Sequence, residues 1–169
     1  PAVTVNNFKI TGKGVFENNT LIQIGEAVAQ IDLSSLLNIE EGIEISKISI
    51  KDTDLDIQVL ENGIANYDIT TSYSETKNYN EDQANNSGIN LELKALKISN
   101  FNLNYKDMQE ETFADIKKLN TKGFIKISDN EYLIESESDI ESLTIEYGDI
   151  NYLNKTALSA KINCLANLD

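Results

Sequence analysis

Asp52, Asp54 and Asp56 stand at alternate positions, the spacing that opens a calcium-binding loop of the EF-hand type. The rest of that loop is absent, because its sixth position is Ile57 in place of glycine and its twelfth is Gly63 in place of glutamate. On a strand the three carboxylates project from one face about 6.6–6.8 Å apart, an arrangement that suits a solvated acidic face. Glu135, Glu137 and Asp139 form a second such row. Glycoside hydrolysis uses two carboxyls about 5–9.5 Å apart, but among 28 acidic residues such pairs arise by chance, and the chain has no Trp for a sugar platform. Gly12-Lys13-Gly14 is too short for a phosphate loop and lacks the GK[ST] continuation. Asn18-Asn19-Thr20, Asn85-Asn86-Ser87 and Asn154-Lys155-Thr156 fit the glycosylation acceptor pattern, as expected by chance in an Asn-rich chain. No catalytic, cofactor-binding or metal-binding residues are assigned.

The missing residue types narrow the function further. Every one of the 14 basic residues is Lys, and there is no Arg, His or Trp. Without His, neither a Ser-His-Asp nor a Cys-His catalytic arrangement is available, nor an imidazole metal site. Without Arg there is no bidentate guanidinium clamp for phosphate or carboxylate. A formal charge of −14 repels a phosphate backbone, so no nucleic-acid partner is expected. Cys164 is alone, which rules out an internal disulfide. It shares its parity with Leu158, Ala160 and Ile162 and reads as a small buried hydrophobe. No stretch approaches the ~18 apolar residues of a spanning helix, and no secretory leader is read at the start. The chain opens on Pro1–Val5 already in strand pattern, as in a mature form or a piece of something longer.

The elements that must position these residues are strands. At 169 residues and 40% hydrophobic, the chain is long and apolar enough for one domain with a core. Leu55, Ile57 and Val59 alternate with Asp54, Asp56 and Gln58, and Phe101, Leu103 and Tyr105 alternate with Asn100, Asn102 and Asn104. Leu143, Ile145 and Tyr147 repeat the pattern, as do Ile150 with Tyr152 and then Leu158, Ala160 and Ile162. The expectation is a mainly β fold of seven to ten strands, an antiparallel, meander-like curved sheet with at most one or two short helices. One helical turn is offered by Asp32 or Ser34 as cap to Ser35–Asn38. Thr112–Asn120 is ambiguous, since Phe113, Ile116 and Leu119 are spaced for a helix face. Asn62-Gly63, between Leu55–Glu61 and Ile64–Ile69, predicts a type I′ hairpin, and Tyr147-Gly148-Asp149-Ile150 a second reversal. Apolar parity slips by one from Ile43 and Ile45 to Ile48 and Ile50, and from Leu91 and Leu93 to Leu96 and Ile98. Each slip calls for a bulge or a sharp twist, which bends the sheet.

Thr70–Gly88 contains no Val, Leu, Ile or Phe and reads as a long, solvated, mobile loop inside one domain spanning residues 1–169. The segments on its two sides repeat. Lys47–Ile57 aligns with Ala95–Tyr105, with apolar positions coinciding at Ile48/Leu96, Ile50/Ile98, Leu55/Leu103 and Ile57/Tyr105. Phe8–Gly12 echoes the first part more weakly. A repeat of this size points to a stacked β architecture.

Phe8–Leu21 (FKITGKGVFENNTL), Val59–Ile69 (VLENGIANYDI), Ile98–Asp107 (ISNFNLNYKD) and Leu143–Leu158 (LTIEYGDINYLNKTAL) resemble the AsmA-like family of envelope proteins in the form found in Bacteroidetes. The resemblance implies a parent protein with an N-terminal membrane anchor, absent from this chain, and a large β-rich periplasmic region of which this chain is an early part. It further implies a role in outer-membrane biogenesis and similarity to bridge-like lipid-transfer proteins built from a repeating β-groove. On that reading the protein is no enzyme, uses no cofactor, and takes phospholipid or another acyl-chain lipid as its partner. Each exposed methylene costs about 0.8 kcal/mol in water, so an apolar sheet face suits an acyl chain. The residues expected to line it are Leu55, Ile57, Val59, Phe101, Leu103, Tyr105, Leu143, Ile145 and Tyr147. The same residues filling a closed core is the competing account. The alternative function is a structural or adhesive β module that binds protein partners at its sheet edges.

Overall fold

Period-two alternation with few breakers makes long strands, and this chain has one proline, at its first position. The structure, a computed structural model, describes residues 1–32, 43–68, 91–128 and 131–167. They form one seven-stranded sheet in sequence order: β1 (Ala2–Thr11), β2 (Thr20–Ile31), β3 (Ile43–Val59), β4 (Leu91–Asp107), β5 (Thr112–Ser128), β6 (Glu131–Tyr147) and β7 (Ile150–Asn167). The fold is therefore mainly β and mostly antiparallel. A 3-10 turn at Gly14–Phe16, with Phe16 buried, joins β1 to β2. The helical turn expected at Ser35–Asn38 and the loop expected at 70–88 lie outside the described residues.

One strand pair departs from the antiparallel meander. β3 and β4 run parallel, with Ile43 paired to Leu91 and Val59 to Asp107, a constant separation of 48 (91 − 43 and 107 − 59). The internal repeat is thus the register of two neighbouring strands. Parallel partners with the same offset present like to like, so Ile50 meets Ile98 and Leu55 meets Leu103.

Both predicted parity slips are present. Gln30 and Ile31 pair with Lys47 and Ile45, which leaves Ser46 as the extra residue of β3. Leu93 and Leu96 pair with Ile125 and Gly123, which leaves an extra residue in β4. A second crease crosses the sheet where the backbone turns left-handed at Asn7 (φ 53°), Asp52 (φ 51°), Asn100 (φ 53°), Lys118 (φ 50°) and Lys155 (φ 49°). Asn and Asp tolerate this conformation best, and side chains satisfy the backbone groups it frees. Asn100 N–H donates to Asn120 Oδ1 at 3.1 Å, Lys118 N–H to Asn102 Oδ1 at 2.9 Å, and Lys155 N–H to Thr144 Oγ1 at 3.1 Å. In β2 the crease meets Gly25, where a Cβ would lie 2.9 Å from Asp52 Cβ. The crease also explains Thr112–Asn120, which is strand and not helix. Ile116 and Leu119 share a face because one extra residue sits between them, and that imitates a helical step of three.

The turn at Asn62-Gly63 is not type I′. Only Gly63 is left-handed (φ 78°), and Gly63 N–H donates to Leu60 O at 2.8 Å while Leu60 N–H donates to Ile64 O at 2.9 Å. Type I′ needs both central residues left-handed. Nor do residues 64–68 form a second strand, since Val59 and Ala65 make an isolated bridge. Pairing of β2 with β3 ends at Leu55, and Asn66 takes over the ladder beyond it. Gln58 N–H donates to Asn66 Oδ1 (2.9 Å), Asn66 Nδ2 donates to Asp56 O (2.6 Å), and Asn66 N–H donates to Gln58 O (2.9 Å). The reversal at Gly148-Asp149 joins β6 to β7 as expected, with Tyr147 paired to Ile150.

Candidate functional site: an apolar sheet face

Directly paired residues of neighbouring strands point to the same side of a sheet. One transverse row reads Ile10, Ile22, Leu55, Leu103, Ile116, Leu143, and the next reads Phe8, Ile24, Thr53, Phe101, Leu119. A third, Ile57, Tyr105, Ala114, Ile145 and Leu153, runs on to β7. Apolar residues therefore occupy the same face on all seven strands, with the creases keeping them on it. At about 3.3 Å per residue a 17-residue strand is roughly 56 Å long, and seven strands about 4.8 Å apart span roughly 29 Å.

All the residues expected to line an apolar surface lie on this face. Leu55 and Ile57 of β3 sit beside Leu103 and Tyr105 of β4, and β5 bridges them to Leu143 and Ile145 through Ile116 and Ala114. Val59 and Leu143 are buried. Leu55, Ile57, Phe101, Leu103, Tyr105 and Ile145 are half-buried, and Tyr147 is 56% exposed. Among the described elements, the substantial contacts all join neighbouring strands of the one sheet. The residues expected from sequence to line the face come from β3, β4 and β6 alone; those of β1, β2, β5 and β7 were not among them. The signal was present in Ile22 and Ile24 followed by Ala27 and Ala29, masked by the parity slip at Gly25.

Polar groups punctuate the face. Thr53, 2% exposed, is buried beside Phe101. Thr121 Oγ1 and Ser138 Oγ share a 2.9 Å hydrogen bond between β5 and β6. At one end Tyr105 donates to Asp107 Oδ2 (3.1 Å), while Asp107 Oδ1 accepts from Gln109 N–H and Glu110 N–H (2.9 Å each). Loss of hydration, then the Asp107 carboxylate, push the Tyr105 hydroxyl above its usual value, which keeps it a donor.

The carboxylate rows lie on the opposite face, and neighbouring strands engage them. Asp52 Oδ1 accepts from Asn100 Nδ2 and Asp54 Oδ1 from Asn102 Nδ2, both at 2.8 Å, as rungs of the parallel pair. Glu137 meets Lys122 (2.8 Å) and Lys161 (3.1 Å), whose hydrogen bonds hold its carboxyl below the usual value. Glu135 accepts from Asn163, and Asp139 from Ser159. Among the described residues no group of three or more His, Cys, Asp or Glu is placed to hold a metal. Cys164 is exposed, contrary to the buried position expected, because it lies on β7, which has a neighbour on one side only. No helix among the described residues is long and apolar enough to cross a membrane. Comparison with protein-family models, with curated proteins and with solved structures found no match to this chain.

Proposed function

We propose that this chain is a non-enzymatic β domain of AsmA-like type that holds acyl-chain lipid, phospholipid above all, on its apolar sheet face. It serves lipid movement at the outer membrane from the periplasm, tethered through an anchor elsewhere in a longer protein. The observation that carries this reading is the run of apolar side chains across all seven strands within a single described layer. A domain that used those residues as an ordinary core would set a second layer on them. An acyl chain supplies what that layer would: it buries methylenes at about 0.8 kcal/mol each and asks for no hydrogen bond. The opposite face carries the acidic rows with their amide and lysine partners. The test is native mass spectrometry of chain purified without detergent. Bound phospholipid or fatty acid is expected, and its loss on Leu103→Asp or Ile145→Asp, because a charge along the acyl path must be desolvated when a chain lies there. Folded variants that keep the lipid refute the assignment.

A further inference from the structure

The two sheet edges remain, and they match each other. Going from β1 to β7, five pairs are antiparallel and one, β3 with β4, is parallel. Five reversals leave β7 antiparallel to β1. In a strictly alternating seven-stranded sheet the two edges would be parallel. A second copy laid beside the first, in the same orientation and with its apolar face on the same side, therefore brings its β1 antiparallel to β7.

The side chains agree with that placement. Val3, Val5 and Phe8 of β1 are 59%, 43% and 41% exposed, and Leu158 and Ile162 of β7 are 43% and 50% exposed, all on the apolar face. The creases agree as well. β1 has Ala2–Asn6 before its left-handed Asn7 and Phe8–Thr11 after it, while β7 has Ile150–Asn154 before Lys155 and a longer run after it. Antiparallel pairing that keeps both apolar faces on one side matches the step from Val5 to Phe8 with the one from Thr156 to Leu153, so β1 runs along the first ten residues of β7 with Val3 opposite Leu158 and Phe8 opposite Leu153. A twofold pairing of β7 with β7 would set Lys155 against Lys155, and like charges directly opposite disfavour a strand pair. Neither edge carries an internal proline, and an edge of 18 residues with exposed Leu and Ile is a ready template for a further strand.

We infer that β7 of one copy pairs with β1 of the next, so that the chain self-associates head to tail into one continuous sheet with a continuous apolar face. The contact is heterologous, with a different edge from each copy, so every added copy leaves one edge of each kind free. This inference does not rest on lipid binding; it follows from strand direction, register and the two exposed edges.

Sedimentation velocity over a protein concentration series tests it with two edge-blocked variants, Val3→Lys/Val5→Lys on β1 and Thr156→Lys/Leu158→Lys on β7. The native chain is expected to gain mass steadily with concentration. Each variant alone stays monomeric, and an equimolar mixture of the two stops at a one-to-one dimer, because each retains the edge the other lacks. A native chain that is monomeric throughout overturns the inference. So does a blocked variant that dimerises alone, which would place the contact at β1–β1 or β7–β7, and so does a mixture that stays monomeric. Circular dichroism establishes that the variants are folded. Should a double variant unfold, the single changes Val3→Lys and Leu158→Lys carry the same comparison.

Discussion

Replacing Leu103 by Asp distinguishes a single-layered apolar face from a sealed core. Leu103 stands between Leu55 and Ile116 and is half-buried. Full burial of a Leu side chain contributes about 1.5–3 kcal/mol, so losing a half-buried one costs about 1–2 kcal/mol while the new carboxylate stays hydrated. Ile145, flanked by Ala114 and Leu153, should behave alike. In a sealed core an unpaired carboxylate costs about 3–5 kcal/mol or more. Leu143 is the internal standard: it lies on the same face and is 8% exposed, so Leu143→Asp should approach that larger figure. For a chain of this size 1 kcal/mol moves the melting temperature by about 2–4 °C. Leu103→Asp and Ile145→Asp should therefore lower Tm by about 2–8 °C, and Leu143→Asp by roughly twice that or more. Thermal and urea unfolding followed by circular dichroism measure this. If Leu103→Asp and Ile145→Asp unfold the chain as readily as Leu143→Asp, the single-layer account fails.

Asn66→Ala leaves Gln58 N–H and Asp56 C=O without their partner at a buried position, which should cost about 2–4 kcal/mol in urea unfolding; a loss under about 0.5 kcal/mol would mean that Asn66 does not complete the β3 ladder. Gly25→Ala places a Cβ 2.9 Å from Asp52 Cβ and 3.3 Å from Lys51 O, so β2 must shift from β3 at the crease, at about 1–3 kcal/mol. An unchanged denaturation midpoint would remove the reason for glycine there. Hydrogen bonds from Lys122 and Lys161 hold the Glu137 carboxyl below its ordinary value, so what it contributes is present above the unfolded value and lost as pH falls through the lowered folded one. The Tm difference between the native chain and Glu137→Gln should accordingly be present at neutral pH and shrink in acid as the carboxylate takes up its proton; a difference that does not change with acidification would contradict the Lys–Glu–Lys bridge.

The strands were legible because alternation is a direct imprint of the pleat. The two parity slips near Ser46 and Ala95 were legible because a bulge shifts that alternation by one. The repeat of Lys47–Ile57 in Ala95–Tyr105 was visible, but a sequence match carries no strand direction, so the parallel pairing was not. The central crease was hidden in its asparagines: Asn100, Asn102 and Asn120 look like a polar face until their side chains are seen satisfying backbone groups at Asn100 and Lys118. Asn62-Gly63 pointed to a turn without fixing its type, because a Gly in the left-handed region serves several turns. Cys164 has the parity of a core residue, yet its exposure depends on which strand ends the sheet, and local pattern does not encode that.

The measurement that bears most directly on the proposed lipid site is paramagnetic broadening of methyl resonances by a fatty acid carrying a nitroxide near its chain end. Leu55, Ile57, Leu103 and Ile145 lie on the apolar face. Val28, paired with Ser49, and Leu133, paired with Lys126, lie on the opposite one and serve as controls in the same spectrum. The account predicts strong broadening at the first set and intact signals from Val28 and Leu133. Equal broadening on both faces, or none on either, would contradict an acyl-chain site on the apolar face.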